Sequence, residues 1–166
     1  MSSLQSPRKL YIGASAIGHT EPAYIIAEIG INHNGSLPRA KELIRAAKAA
    51  GAQAVKFQKR HLRSIYTERV LGSLEHLEQG FQYLIPILRE YELSTAQMRE
   101  LKTYADELGI EFLCTPFDID SAEFLESLGV PAFKVSSADL TNFVLLEKLV
   151  AYDKPLLLSC GMSSNE

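Results

Sequence analysis

The stretch Tyr24–Gln58, YIIAEIGINHNGSLPRAKELIRAAKAAGAQAVKFQ, reads as a strand, a helix and a second strand. Tyr24–Gly30 and Ala54–Gln58 are short β-rich runs, apolar on both faces rather than alternating, as strands are in a parallel sheet covered by helices. Between them Leu37, Ala40, Leu43, Ile44 and Ala47 recur at helical spacing, and Gly51 supplies a stop signal. A strand, crossover helix and strand of this length form a right-handed βαβ unit, which makes the sheet parallel.

The same rhythm continues outward. Glu111–Pro116, Ala132–Ser137 and Pro155–Met162 are further strand candidates. Ser94 with Gln97 forms a capping box for a helix running to about Gly109, with Met98, Leu101 and Ala105 on one stripe. Asp120 with Glu123 reads as a second box before Ala122–Leu128, and Asn142 as the cap of Val144–Tyr152. Two segments interrupt the alternation. Residues 9–21 read as a small hairpin, and His61–Tyr91 as an irregular insertion with a helix over Leu84–Tyr91. Because it follows the end of a strand, the insertion is a candidate active-site loop.

Composition narrows the function. The chain has 166 residues, 46% apolar and 22% charged, which suits an ordinary globular domain. Seventeen basic against twenty acidic side chains give a net charge of -3, so no basic surface is present for a nucleic acid or an anionic membrane. The longest apolar runs fall far short of the roughly 20 residues of a membrane span. Met1–Lys9 is polar and lacks the apolar core of a signal peptide, and the two cysteines lie far apart. A cytoplasmic location with free thiols is expected.

Length alone favours an open doubly wound sheet, since a (β/α)₈ barrel needs roughly 250 residues. Two features point the other way. Every strand candidate ends in polar residues, whereas an open sheet binds ligands mainly at its switch point. Ser163–Glu166 is also a helix-opening S-x-x-E box with no helix after it. The expectation is therefore an α/β fold comprising the N-terminal five βα units of a (β/α)₈ TIM barrel. Residues 1–21 form its hairpin segment and 22–166 a partial barrel cut in mid-fold.

The strand ends supply the candidate chemistry. Lys56 and Lys134 sit inside apolar strands, where a lysine either reaches the rim, pairs with Glu28 or Asp139, or binds an anion. With Thr115, Ser137 and Ser159 as donors, phosphate is the economical ligand. Glu28 reads either as a lysine's partner or as a general base or hydroxyl clamp. His33 reads as a loop-ordering histidine, His19, His61 and His76 as surface histidines, and both cysteines as small strand residues. No metal-ligand spacing is present.

IIAEIGINHNG (25–35), AGAQAVKFQK (50–59), FLCTPFD (112–118), PAFKVSSADLTN (131–142) and KPLLLSCGM (154–162) together closely resemble the sialic acid synthase family, also called N-acetylneuraminate synthases. The resemblance implies a barrel that condenses phosphoenolpyruvate with an N-acetylmannosamine-type sugar, giving a nine-carbon 2-keto acid and phosphate. It implies that Lys56, Thr115, Lys134, Ser137 and Ser159 hold phosphoenolpyruvate, that Glu28 binds sugar hydroxyls and handles protons, and that Gln58 and Asp139 lie in the same pocket. It further implies a manganese or magnesium ion whose ligands lie outside this chain, and a homodimer in the full-length family. Asp139 stands where many members have Glu, and Cys160 where many have Thr, which leaves the sugar open. On this reading the chain carries the phosphoenolpyruvate half of a site and is inactive alone. A Schiff-base aldolase using Lys134, and a non-catalytic fragment that binds an anion or a partner, are the alternatives.

Overall fold

A computed structural model describes residues 10–164 of the chain. The sequence readings for Met1–Lys9 and for the last two residues of the S-x-x-E box lie outside the described residues.

Two short strands, β1 (Leu10–Ile12) and β2 (Ser15–Ile17), pair antiparallel across a tight turn at Gly13. There follow β3 (Ile26–Gly30), α1 (Leu37–Ala49) and β4 (Ala54–Lys59). The insertion then contributes α2 (Leu62–Ile65), α3 (Glu68–Gly72) and α4 (Gln79–Tyr91) before α5 (Thr95–Glu107) and β5 (Glu111–Pro116). The rest is α6 (Ile119–Ser127), β6 (Phe133–Val135), a 3-10 turn at Ser137–Asp139, α7 (Phe143–Val150) and β7 (Leu156–Leu158). The main sheet is parallel with the order β3-β4-β5-β6-β7. Sequential order leaves no point at which the winding reverses, so the doubly wound alternative does not describe this sheet.

Local signals explain most boundaries. Ser36 accepts from Arg39 N to open α1, and Pro38 sits in the first turn, where its missing N–H costs nothing. Ser94 and Gln97 make both bonds of the expected capping box, and Asn142 caps α7. The α6 cap is different from expectation: Asp118, not Asp120, accepts from Ser121 N at 2.7 Å. Either acid satisfies the pattern, and Asp118 takes the role because its other oxygen also receives His61 N, at 2.7 Å, tying α6 to the end of β4. In the insertion, α4 starts earlier than expected. Glu78 makes no side-chain cap, Gly80 is a poor helix former and Pro86 lies inside the helix, so no local signal marks its start. The strands β6 and β7 are shorter than their apolar runs. Ser136 stops β6 by bonding Ala138 N and starting the 3-10 turn.

The two faces of the sheet pack differently. Val55, Phe57, Phe112, Cys114, Phe133 and Val135 face the helices and form the main core with Ile44, Met98, Leu101, Leu125 and Leu149. On the opposite face Ala54, Leu113 and Ala132 form a smaller cluster with Ile12 of the hairpin, which covers the end where the strands begin.

One irregularity lies in β3. Glu28 pairs with Lys56 but Gly30 pairs with Phe57, leaving Ile29 as an extra residue. Gly30 adopts φ +56°, the left-handed conformation that such a bulge asks of glycine.

Candidate functional site

The strand pairing decides which residues share the face away from the helices. Glu28 lies opposite Lys56, Lys56 opposite Leu113, Gln58 opposite Thr115, and Lys134 opposite Leu157. Side chains alternate across a strand. Glu28, Lys56, Gln58, Thr115, Lys134 and, one step beyond β7, Ser159 therefore line one face, at the ends of five neighbouring strands.

The contacts agree with that register. Lys56 Nζ lies 2.8 Å from Glu28 Oε2 and donates to Thr115 Oγ1 at 3.2 Å. The Lys56 side chain is 6% exposed while Glu28 is 62% exposed, so a buried ammonium meets a carboxylate open to solvent. Lys134 Nζ donates to Ser159 Oγ at 2.5 Å and to Val135 O at 2.6 Å. Its partner is a hydroxyl, so the expected choice between Glu28 and Asp139 as ion-pair partners is settled for Lys56 by Glu28 and for Lys134 by neither. Burial, reinforced by the nearby Lys56 charge, holds the Lys134 ammonium below the usual lysine range; Glu28 and Cys160 offset part of this. The two ammonium groups raise each other's cost of burial, and the Glu28 carboxylate relieves it on the Lys56 side.

Ser137 and Asp139 occupy the 3-10 turn after β6. Asp139 Oδ1 receives Asn142 Nδ2 at 3.3 Å, while its Oδ2 is buried without a partner. Burial pushes the Asp139 carboxyl up, against the pull of Asn142 and Arg60. Asp139, Gln58, Arg60, Phe117, Tyr66 and Ile31 line a cavity of about 480 Å³ between the strand ends and the insertion. The insertion thus lies over the strand ends, and Lys59 of β4 anchors it through Glu92 Oε1 at 2.6 Å.

Arg60 escaped the sequence reading. Its signal is the period-two series Lys56, Gln58, Arg60, which continues the ligand-bearing face past the end of β4. His33 orders its loop, as expected: it is buried, stacks on Phe57 with ring centres 5.8 Å apart, and its Nδ1 accepts from Gly35 N. Cys114 is buried on the helix side, where desolvation lifts its thiol to about 12, an inert state. Cys160 is exposed.

Among the described residues no three His, Cys, Asp or Glu come together as metal ligands. The described residues do not make a metal site. No helix among the described residues is long and apolar enough to cross a membrane.

A family model described as the NeuB family matches residues 43–166. The chain belongs to the NeuB family. Among NeuB relatives, it is 41% identical over 149 residues to N-acetylneuraminate-9-phosphate synthase of Homo sapiens, covering 89% of this chain and 42% of that protein. It is 40% identical over 154 residues to N,N'-diacetyllegionaminic acid synthase of Legionella pneumophila, covering 90% of this chain and 43% of the relative. A solved structure of N-acetylneuraminic acid synthetase from Leptospira borgpetersenii, in complex with citrate, superposes with a TM-score of 0.81 at 30% identity, over 95% of this chain and 51% of that one. The chain thus spans less than half the length of these two NeuB relatives.

Proposed function

We propose that this NeuB-family chain carries the phosphoenolpyruvate-binding part of a nonulosonic acid synthase. Its five parallel strands are the first five of a (β/α)₈ barrel. The observation that carries the reading is the pair of lysines, Lys56 and Lys134, on one face at the strand ends with the hydroxyls of Thr115 and Ser159 bonded to them.

Phosphoenolpyruvate presents a phosphate and a carboxylate on one small skeleton. Two ammonium groups with hydroxyl donors can neutralise both and fix the enol plane. The enol carbon then attacks the aldehyde carbon of an N-acetylmannosamine-type sugar, whose oxygen takes up a proton; a water adds to the cation left at C2, and the resulting hemiketal phosphate breaks its C–O bond, releasing phosphate and leaving the 2-keto acid. Donors already in place where negative charge gathers do not have to reorganise during the reaction. Glu28 is assigned to hold a sugar hydroxyl and exchange a proton with it, a role its exposure to solvent on the same face supports. Ser137 is assigned to phosphoenolpyruvate, and Gln58 and Asp139 to the sugar side.

The test is phosphate release from phosphoenolpyruvate with N-acetylmannosamine by a complete synthase that carries this sequence, comparing it with its Lys134→Met variant. Loss in the variant is expected; an unchanged rate overturns the assignment. A second reading rests on the depressed proton affinity of Lys134, which suits an amine nucleophile. Borohydride trapping of pyruvate on Lys134 would establish that Schiff-base aldolase reading, and failure to trap removes it.

A further inference from the structure

Arg60 is 8% exposed, and its contacts run to the protein itself. Its guanidinium lies 4.2 Å over the centre of the Phe117 ring, and its Nη2 donates to Gln58 Oε1. Phe117 is held in turn, its N–H donating to Lys59 O at 3.1 Å. Arg60 is therefore fixed by the neighbouring strand end while it grips Gln58, and both residues line the cavity.

A glutamine amide has two orientations of nearly the same shape, related by exchange of its oxygen and nitrogen. A guanidinium carries N–H donors only and cannot shed its charge, so it tolerates one of the two, with the oxygen turned toward it. The reverse orientation sets N–H against N–H in a buried place. The other side of the amide agrees: Gln58 Nε2 lies beside Gly30 of the β3 bulge, where a Cβ would stand 3.6 Å from it. With Oε1 engaged, the two N–H groups of Nε2 are what Gln58 has left for a ligand, and the cation polarising Oε1 makes them stronger donors.

We propose that Arg60 is a positioning residue that acts through Gln58: by holding Oε1 it fixes the amide so that Gln58 meets the acceptor sugar only as a hydrogen-bond donor. The inference rests on the reading that places Gln58 on the sugar side of a condensing site.

A double-mutant cycle in a complete synthase that carries this sequence tests it, with phosphate release from phosphoenolpyruvate and N-acetylmannosamine as the assay. Arg60→Met should raise the KM for N-acetylmannosamine about tenfold, because a glutamine free to turn must be ordered again on binding, and should leave the KM for phosphoenolpyruvate unchanged. Added to Gln58→Ala, Arg60→Met should raise the KM no further. Arg60→Lys, which still donates to Oε1, should recover most of the loss. Gln58→Glu keeps the guanidinium's partner but has no N–H, so it should match Gln58→Ala in KM with a melting temperature no lower than the parent's, which keeps the test open if Arg60→Met does not fold. Nuclear Overhauser contact between the Gln58 Nε2 protons and the Gly30 α protons reads the orientation without turnover; it should be present in the parent and weaken in Arg60→Met. Three results overturn the inference: an Arg60→Met effect as large in the Gln58→Ala background as in the parent, a parental KM in Gln58→Glu, or no such contact in the parent. Absence of phosphate release with the contact present overturns the proposed condensation instead and leaves the hold of Arg60 on Gln58 standing.

Discussion

The face of the sheet turned away from the helices has two halves that differ in chemistry although the same strands build both. Toward the strand starts it carries Ala54, Leu113 and Ala132 against Ile12 of the hairpin. Two residues further along, it carries Lys56, Thr115 and Lys134. A step of two residues is about 6.6 Å, so the change from dry packing to charge happens within one layer of side chains. The apolar layer needs no partner beyond the hairpin. The charged layer keeps two ammonium groups near each other, an arrangement that burial alone disfavours and a bound dianion favours. On the proposed function, stability and ligand binding fall to separate layers, and substitutions should separate them.

The largest effect is expected in the charged layer. In a complete synthase that carries this sequence, Lys134→Met should lower the rate of phosphate release from phosphoenolpyruvate about a hundred- to a thousandfold, with a melting temperature near that of the parent, as loss of one preorganised donor does elsewhere. A matching fall in thermal stability would mean that the two layers are not separate. Leu113→Ala breaks the apolar layer instead. Leu113 is fully buried, and its truncation should cost roughly 3 kcal/mol in urea denaturation while the affinity for phosphoenolpyruvate, measured by calorimetry on the folded protein, stays the same.

Smaller effects should follow at the hairpin. Gly13 has φ +57°, and a Cβ there would stand 1.9 Å from Glu111 Oε1. Gly13→Ala therefore strains the turn and pushes Glu111 aside. A loss of about 1–2 kcal/mol is expected, with amide exchange accelerated first in β1 and β2. The smallest effect concerns Tyr24, which packs beside the apolar layer with its hydroxyl unpartnered. Burial, with Glu111 adding to it, lifts the phenol from 10.0 to about 12. Below pH 10 both folded and unfolded chains hold the proton and no dependence arises. Between 10 and 12 the unfolded chain ionises first, so stability falls as pH rises. Tyr24→Phe should be neutral or stabilising within about 1 kcal/mol at neutral pH and should flatten that alkaline slope in thermal melts.

How much of this could be read from the sequence depended on the range of the causes. The β3-α1-β4 unit was legible because period, cap and stop signal are all local, and so were the lysines, which stand out in apolar strands. Glu28, Lys56, Gln58, Thr115, Lys134 and Ser159 share a face because a parallel sheet brings carboxyl ends together whatever its closure, while Ser137 and Asp139 lie in the turn after β6. What escaped depended on contacts between distant segments. Asp118 and Asp120 are equivalent caps until His61 reaches one of them, and α4 forms over Gly80 and Pro86 because Ile85 and Leu88 are buried in the tertiary fold. Arg60 lies past the apolar run of β4, where only the alternation Lys56, Gln58, Arg60 marks it.

The bulge in β3 acts as a frameshift in the alternation of that strand. Before Ile29, even-numbered residues lie on the face of Lys56; after it, odd-numbered Ile31 looks into the cavity beside Gln58 while Ile29 itself is 4% exposed in the main core. If the strand ran on through Ile29 without the bulge, Ile29 would oppose Phe57 and Gly30 would oppose Gln58, so a single inserted residue decides which side chain the end of β3 turns toward the cavity.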